Sequence, residues 1–216
     1  MFFILDDLID AEVVATDGEI GKVRNFFFDD QSWMIRYLVV DVGNWLSRRD
    51  VLISVTAIDD PDWQKKIFRV RLTKEQVRHS PDVDSQKPVS RQQEIAMREH
   101  FGWPAAWEHM GDILTAEFPP ASLPIGREFP VHSGEDAHLR SLSDVDGYEV
   151  WSHYSTIGRL ESFVVDESSW HLRFLDVKMG DWLHRRSMLV PTSYVSAISW
   201  AHHRINLRQE SRSATP

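Results

Sequence analysis

Apolar residues in this chain gather in short runs of strand length, set apart by turn-forming residues. Val13–Ala15 and Glu19–Asp29 read as strands on either side of Thr16-Asp17-Gly18, a hairpin signal. The second of these is long, and its apolar residues change parity. Val23 and Phe27 fall on one face and Phe26 and Phe28 on the other, as a strand rounding the corner of a small barrel requires. Trp33–Val42, Val51–Val55 and Ile67–Leu72 are the next strands, with Asp59-Asp60-Pro61-Asp62 read as a turn. Thr73–Arg78 reads as a short helix, with Thr73 as N-cap and Gln76 three residues on.

The same pattern returns after 137 residues. Gly21 falls on Gly158, Phe26 on Phe163, Asp29 on Asp166 and Ser32-Trp33 on Ser169-Trp170, without a gap. Gly43-x-Trp45-Leu46-x-Arg48-Arg49 falls on Gly180-x-Trp182-Leu183-x-Arg185-Arg186. So long a period is not that of a solenoid; it indicates one small domain present twice. The second copy predicts strands at Val150-Trp151, Ile157–Asp166, Trp170–Met179, Met188–Val190, Val195–Trp200 and Arg204–Arg208. Gly21 and Gly158 stand where a bulge or bend is needed.

Between the copies the pattern changes. Ser80–Pro88 has linker composition, and Ser90-x-x-Gln93 is a capping box opening a helix that runs to about Phe101, where Gly102 stops it. Phe101, Trp103 and Trp107 give this segment more aromatic weight than a free linker needs, so it is expected to dock on a barrel or on a second chain. Phe118–Gly134, with four prolines, reads as an extended connector, and Ser211–Pro216 as a frayed tail.

The copies differ on one face of their third strand. Leu38, Val40 and Val42 match Leu175, Val177 and Met179, whereas Ile35, Tyr37 and Val39 stand opposite Leu172, Phe174 and Asp176. A strand apolar on both faces should be covered on both. Ile35, Tyr37 and Val39, with Phe101, Trp103 and Trp107, are therefore the candidate interface, the other reading being a broader internal core.

Composition narrows the chemistry. The formal net charge is −9, which opposes nucleic-acid binding unless basic residues share one face. There is no cysteine, so disulfides, thiolate catalysis and cysteine-ligated metal are excluded. No apolar run approaches a membrane span, and Met1-Phe-Phe-Ile-Leu-Asp-Asp lacks the make-up of a signal peptide, so a cytoplasmic protein is expected. Phosphate-binding loops, nucleophile elbows and His-Glu-x-x-His are missing from the sequence. His132 and His138, with Glu135 and Asp136 between them, are a weak metal motif, and His202-His203 on a strand point to opposite faces. The acids at Asp59–Asp62 and Asp82–Asp84 lack the rest of an EF-hand loop and read as solvated turns. No catalytic residue, metal or cofactor is expected. The Arg pairs, Arg48-Arg49 and Arg185-Arg186, are the candidate contacts for an anion, lipid headgroup or acidic partner; the alternative is a solvated hairpin tip with internal pairing. Trp33, Trp45, Trp170 and Trp182 read first as core.

The run Gly18-Glu-Ile-Gly-Lys-Val, Phe28-Asp-Asp, Ile35-Arg-Tyr-Leu-Val-Val-Asp, Trp45-Leu, Val51-Leu-Ile-Ser resembles the PRC-barrel domain. That family includes the cytoplasmic domain of the photosynthetic reaction centre H subunit and the C-terminal domain of a factor that matures ribosomal 16S RNA. The resemblance covers Leu5–Leu72 well and Ser143–Leu207 less well, with Ser155 in place of Gly18 and Lys178 in place of Asp41. It implies a mainly β protein of two small PRC-type β-barrels, residues 1–78 and 141–210, joined by a partly helical linker at 79–140 and followed by a tail at 211–216. It also implies a non-catalytic adaptor or assembly role through protein–protein contacts, and the apolar second face of Trp33–Val42 with the aromatic central helix adds the expectation of self-association as a dimer. The alternatives are an RNA-processing or ribosome-associated factor, and a role like that of the H subunit in a membrane electron-transfer complex, with peripheral membrane contact.

Overall fold

A computed structural model describes residues 1–43, 49–81, 96–97, 99–102, 139–152, 155–180 and 186–208. The chain is mainly β, in two seven-stranded sheets. The first repeat supplies β2 (Glu12–Ala15), β3 (Gly18–Asp29), β4 (Ile35–Asp41), β5 (Asp50–Ser54), β6 (Ile58–Asp62) and β7 (Ile67–Val70). The second supplies β9 (Glu149–Ser152), β10 (Ser155–Asp166), β11 (His171–Met179), β12 (Arg186–Pro191), β13 (Val195–Ser199) and β14 (Arg204–Leu207). The order β5-β4-β3-β2-β7-β6 is repeated as β12-β11-β10-β9-β14-β13, with one parallel pair in each, β2 with β7 and β9 with β14. Among the described residues no ladder joins the two ends of either path, so the sheets are open where closed barrels are expected.

Two short strands complete the sheets, and they are exchanged. β1 (Phe2–Ile4) pairs with β10 of the second repeat, and β8 (Leu139–Ser141) pairs with β3 of the first. Phe2 faces Asp166 and Leu139 faces Asp29; each member of one pair lies 137 residues from its counterpart in the other. The first strand of each repeat thus finishes the sheet of the other. Near the centre of this arrangement, Ile35 donates its N–H to Trp170 O at 2.9 Å and Leu172 donates its N–H to Trp33 O at 2.8 Å. Met34 and His171, again 137 apart, form the bridge between them. Trp33 and Trp170 both have positive φ, 58° and 57°, which turns the chain at this crossing.

One apolar core serves both halves. Phe28 and Trp33 pack on Phe163 at 5.4 and 6.1 Å, and Trp63 packs on Trp170 at 4.6 Å. Phe3 of β1 stacks on Trp63, so the exchanged strand is also anchored by its side chain. Close backbone approach explains the two conserved-register glycines. A Cβ on Gly21 would lie 2.0 Å from Asp41 O, and one on Gly158 2.4 Å from Lys178 O. Each sits beside a break in register with the preceding strand.

Three expectations need correction. Residues 59–62 are not a turn: β6 runs through them as the last strand of its path, and an edge strand tolerates both the acids and Pro61. Residues 139–140, expected in the linker, begin the strand β8, which like β1 is too short at three residues to show a period. Ile35 does not share a face with Tyr37 and Val39. A bulge opposite Phe27-Phe28 skips Arg36 in the register of β3 with β4, which turns Ile35 into the shared core and Tyr37 and Val39 to the other side of the sheet. The capping box at Thr73–Gln76 is present and opens α1 (Lys74–Arg78). The rest of the expected linker helix, the connector at 118–134, the tail at 211–216, Trp45 and Trp182 lie outside the described residues.

Removing residues 1–4 should release the amides of Val165 and Glu167, which face β1, to hydrogen exchange while that of Phe28, which faces β8, remains protected. His171 supplies a second test. Burial, followed by the charge of Arg173, lowers its pKa from 6.5, and its Nδ1 is buried without a partner. The unfolded chain therefore binds the proton more readily, so stability is fullest above pH 6.5 and falls as pH drops below it. Urea unfolding at pH 7.5 and 5.5 should show this loss, and His171→Gln should reduce it.

Candidate functional site

The bulge at Arg36 and its counterpart at Arg173 give each sheet an outer face separate from the shared core. On the first sheet this face carries Phe27, Tyr37, Val39, Leu52 and Leu139, all buried with Met97 in a cluster of their own. Met97, itself 0% exposed, comes from a helical segment, at 96–97 and 99–101, that lies over the sheet. His100 Nε2 lies 2.8 Å from Gln76 O, which ties the segment to α1, and Phe101 is buried in the shared core. Tyr37 and Val39, expected to meet a second chain, are thus covered within their own chain. Trp103 and Trp107 lie outside the described residues.

The equivalent face of the second sheet carries Phe2, Val164, Phe174, Asp176 and Leu189, with Ile4 beside them. Here the strands are the same and the covering is not. Phe2 is 57%, Ile4 40% and Leu189 53% exposed. Phe2 and Phe174 meet edge to face at 5.9 Å, forming an apolar ridge across β1 and β11. Asp176, which replaces the Val39 of the first repeat, pairs with Leu189 across the ladder and is only 8% exposed. Its Oδ1 is buried with no hydrogen-bond partner. Its basic neighbours on β11 are engaged: Lys178 pairs with Glu161 and Arg173 with Asp166.

The arginine sites come apart. Arg48 and Arg185 lie outside the described residues, and Arg186 is exposed at the start of β12. Arg49 has a structural task. Its guanidinium donates to Val77 O, Arg78 O and Ser80 Oγ, each at 2.9 Å, and to Ser80 O at 3.2 Å. The carbonyls of Val77 and Arg78 end α1, where positive charge is favoured.

Two hollows have charged groups in their walls. One of about 260 Å³ lies between the repeats and is lined by Asp6, Arg24 and Glu161 and by the apolar Ile9, Leu160 and Phe163, among others. Burial, followed by the charges of Asp146, Glu161 and Asp7, raises the Asp6 carboxyl, against a hydrogen bond from Ser162 that lowers it. The other, of about 440 Å³, is lined by Tyr148, Glu149, Arg159, His202 and His203 among others. Arg159 is bonded there to Gly147 O and Glu149, and Tyr148 stacks on His203. Among the described residues no three His, Asp or Glu side chains are placed to hold a metal ion. No helix among them is long and apolar enough to cross a membrane. The His132–His138 loop lies outside them.

The PRC-barrel domain model matches residues 1–77, which hold β1 to β7 and nearly all of α1. A protein of Deinococcus radiodurans, named only as uncharacterized, is 31% identical over 85 residues. The match takes in 38% of this chain and 30% of that protein's length. The PRC-barrel match thus falls on the first repeat, and the second shares its strand order and registers. The exposed face of the second sheet was signalled in the sequence by Asp176 alone, and the contribution of Phe2 and Ile4 to it could not be read before the strand exchange was known.

Arg49→Met should lower stability by about 1.5–3 kcal/mol, the range for hydrogen bonds to a charged group. Chemical denaturation measures this, and phosphate or heparin binding should be the same before and after the change.

Proposed function

We propose that this chain is a non-catalytic adaptor built from two PRC-type repeats, at 1–78 and 141–210, and that it works by binding another protein. The observation that carries this reading is the outer face of the second sheet. Phe2, Ile4 and Leu189 are solvated on a surface whose counterpart in the same molecule is closed over by Met97. Contiguous exposed apolar surface ringed by polar groups is the usual mark of a contact site. The rim is polar here, with the N-terminal amine on Glu167 and Arg173 on Asp166. The PRC-barrel match on the first repeat supports the same role, since the resemblance implies a binding module.

An RNA-associated role has less support. The net charge is −9, and Arg24, Arg71, Arg140 and Arg159 each pair with a carboxylate of their own chain. Self-association stays within the adaptor reading but shifts from the Tyr37 and Val39 face to the second sheet.

Affinity capture with the tagged full chain from its native host, with Leu189→Glu alongside, tests the proposal. The expected result is a partner retained in fixed ratio by the native chain and lost from the variant, with light scattering reporting any self-association. A native chain that stays monomeric and retains no partner, or a partner retained equally by both, would overturn it.

A further inference from the structure

The outer face of the second sheet has a buried carboxylate oxygen without a hydrogen-bond donor, in the middle of an apolar surface. We infer that this face receives an amphipathic α-helix of a partner protein, and that the apolar side of that helix carries one Lys or Arg that meets Asp176. This rests on the adaptor reading and specifies the partner's chemistry.

The helix is argued from the molecule itself. Positions 27, 37, 39 and 52 on the first sheet correspond to 164, 174, 176 and 189 on the second. The first set is covered by a helical segment that seats Met97 among them. The two sheets share strand order and register, so they present similar ground for a helix to lie on. The exposed face crosses β1, β10, β11 and β12. Four strands about 4.8 Å apart span roughly 15 Å, the length of about ten helical residues.

The cation is argued from Asp176. Burying a carboxylate is costly unless it is paired and hydrogen-bonded. The first repeat avoids the cost with Val39. The second accepts it, and Lys178 and Arg173 are already committed to Glu161 and Asp166. A donor brought by the occupant would complete the site. The same charge argues against the other occupants. A second copy docked through this face by twofold symmetry would bring two Asp176 carboxylates towards one another in a dry interface. An anionic lipid surface would be repelled by Asp176 and by the net charge of −9.

A display library of amphipathic 16-residue helices, with one apolar-face position varied through all residue types, should be selected on the intact full-length chain. The enriched peptides should carry Lys or Arg at that position. Replacing the cation by Met should weaken binding at least about tenfold to the native chain and little to Asp176→Val. Leu189→Glu should abolish binding of all of them. Unfolding measurements give a second readout without a ligand, in which Asp176→Val should raise the denaturation midpoint. Enrichment without a cation, a cation preference unchanged in Asp176→Val, or a midpoint lowered by that change would overturn the inference. So would a native dimer that Leu189→Glu dissociates. If the host partner is lost from Leu189→Glu but retained by Asp176→Val at full affinity, the adaptor reading stands and the helix with its cation falls.

Discussion

Each of the long strands β3 and β10 is completed by a segment from the opposite repeat, and the rest of the molecule follows from that exchange. Backbone N–H and C=O groups near a core must be satisfied. In the first sheet residues 139–141 satisfy the edge of β3 along Phe27–Asp29 that β4 leaves open, and in the second residues 2–4 satisfy the edge of β10 along Val164–Asp166 that β11 leaves open. The two halves are therefore joined by hydrogen bonds at two ladders as well as at the Trp33 and Trp170 crossing. The aromatic side chains inside follow this geometry. Phe163 lies among Phe28 and Trp33, and Trp170 among Trp63 and Phe68. Neither sheet owns its core.

Against this shared framework, the two outer faces diverge. Backbone register is the same to the residue, yet one face is sealed by Met97 and the other is open around a charged residue. Stability explains the first arrangement, because five large side chains leave water there. It does not explain the second, since Phe2 and Leu189 gain little from their positions and Asp176 costs something. Where a fold gives up stability at one place and keeps it at the equivalent one, the difference points to use.

Much of the framework was legible in the sequence. The shift of 137 residues aligned Gly21 with Gly158, and the structure shows why both must lack a side chain, since a carbonyl occupies the space. Thr73 and Gln76 declared the start of α1 by their hydrogen-bonding chemistry alone. Features set by long-range partners were hidden. Phe2–Ile4 is too short to show alternation, and its role depends on Val164–Asp166, far along the chain. The bulge at Arg36 left no local sign, so Ile35 was grouped with Tyr37 although the two face opposite sides. The partners of Arg49 are not legible in the sequence because the groups that bind it belong to residues 77–80, brought back by the turn of the chain.

The strand exchange also bears on how such a molecule can change. Were the repeats separate polypeptides, reciprocal completion would make them an obligate symmetric pair, and every substitution would appear on both sides at once. Carried on a single continuous chain, the halves keep the reciprocity and lose the obligation to match. Position 39 could then remain valine while position 176 became aspartate, so that one molecule came to have a sealed flank and an open one.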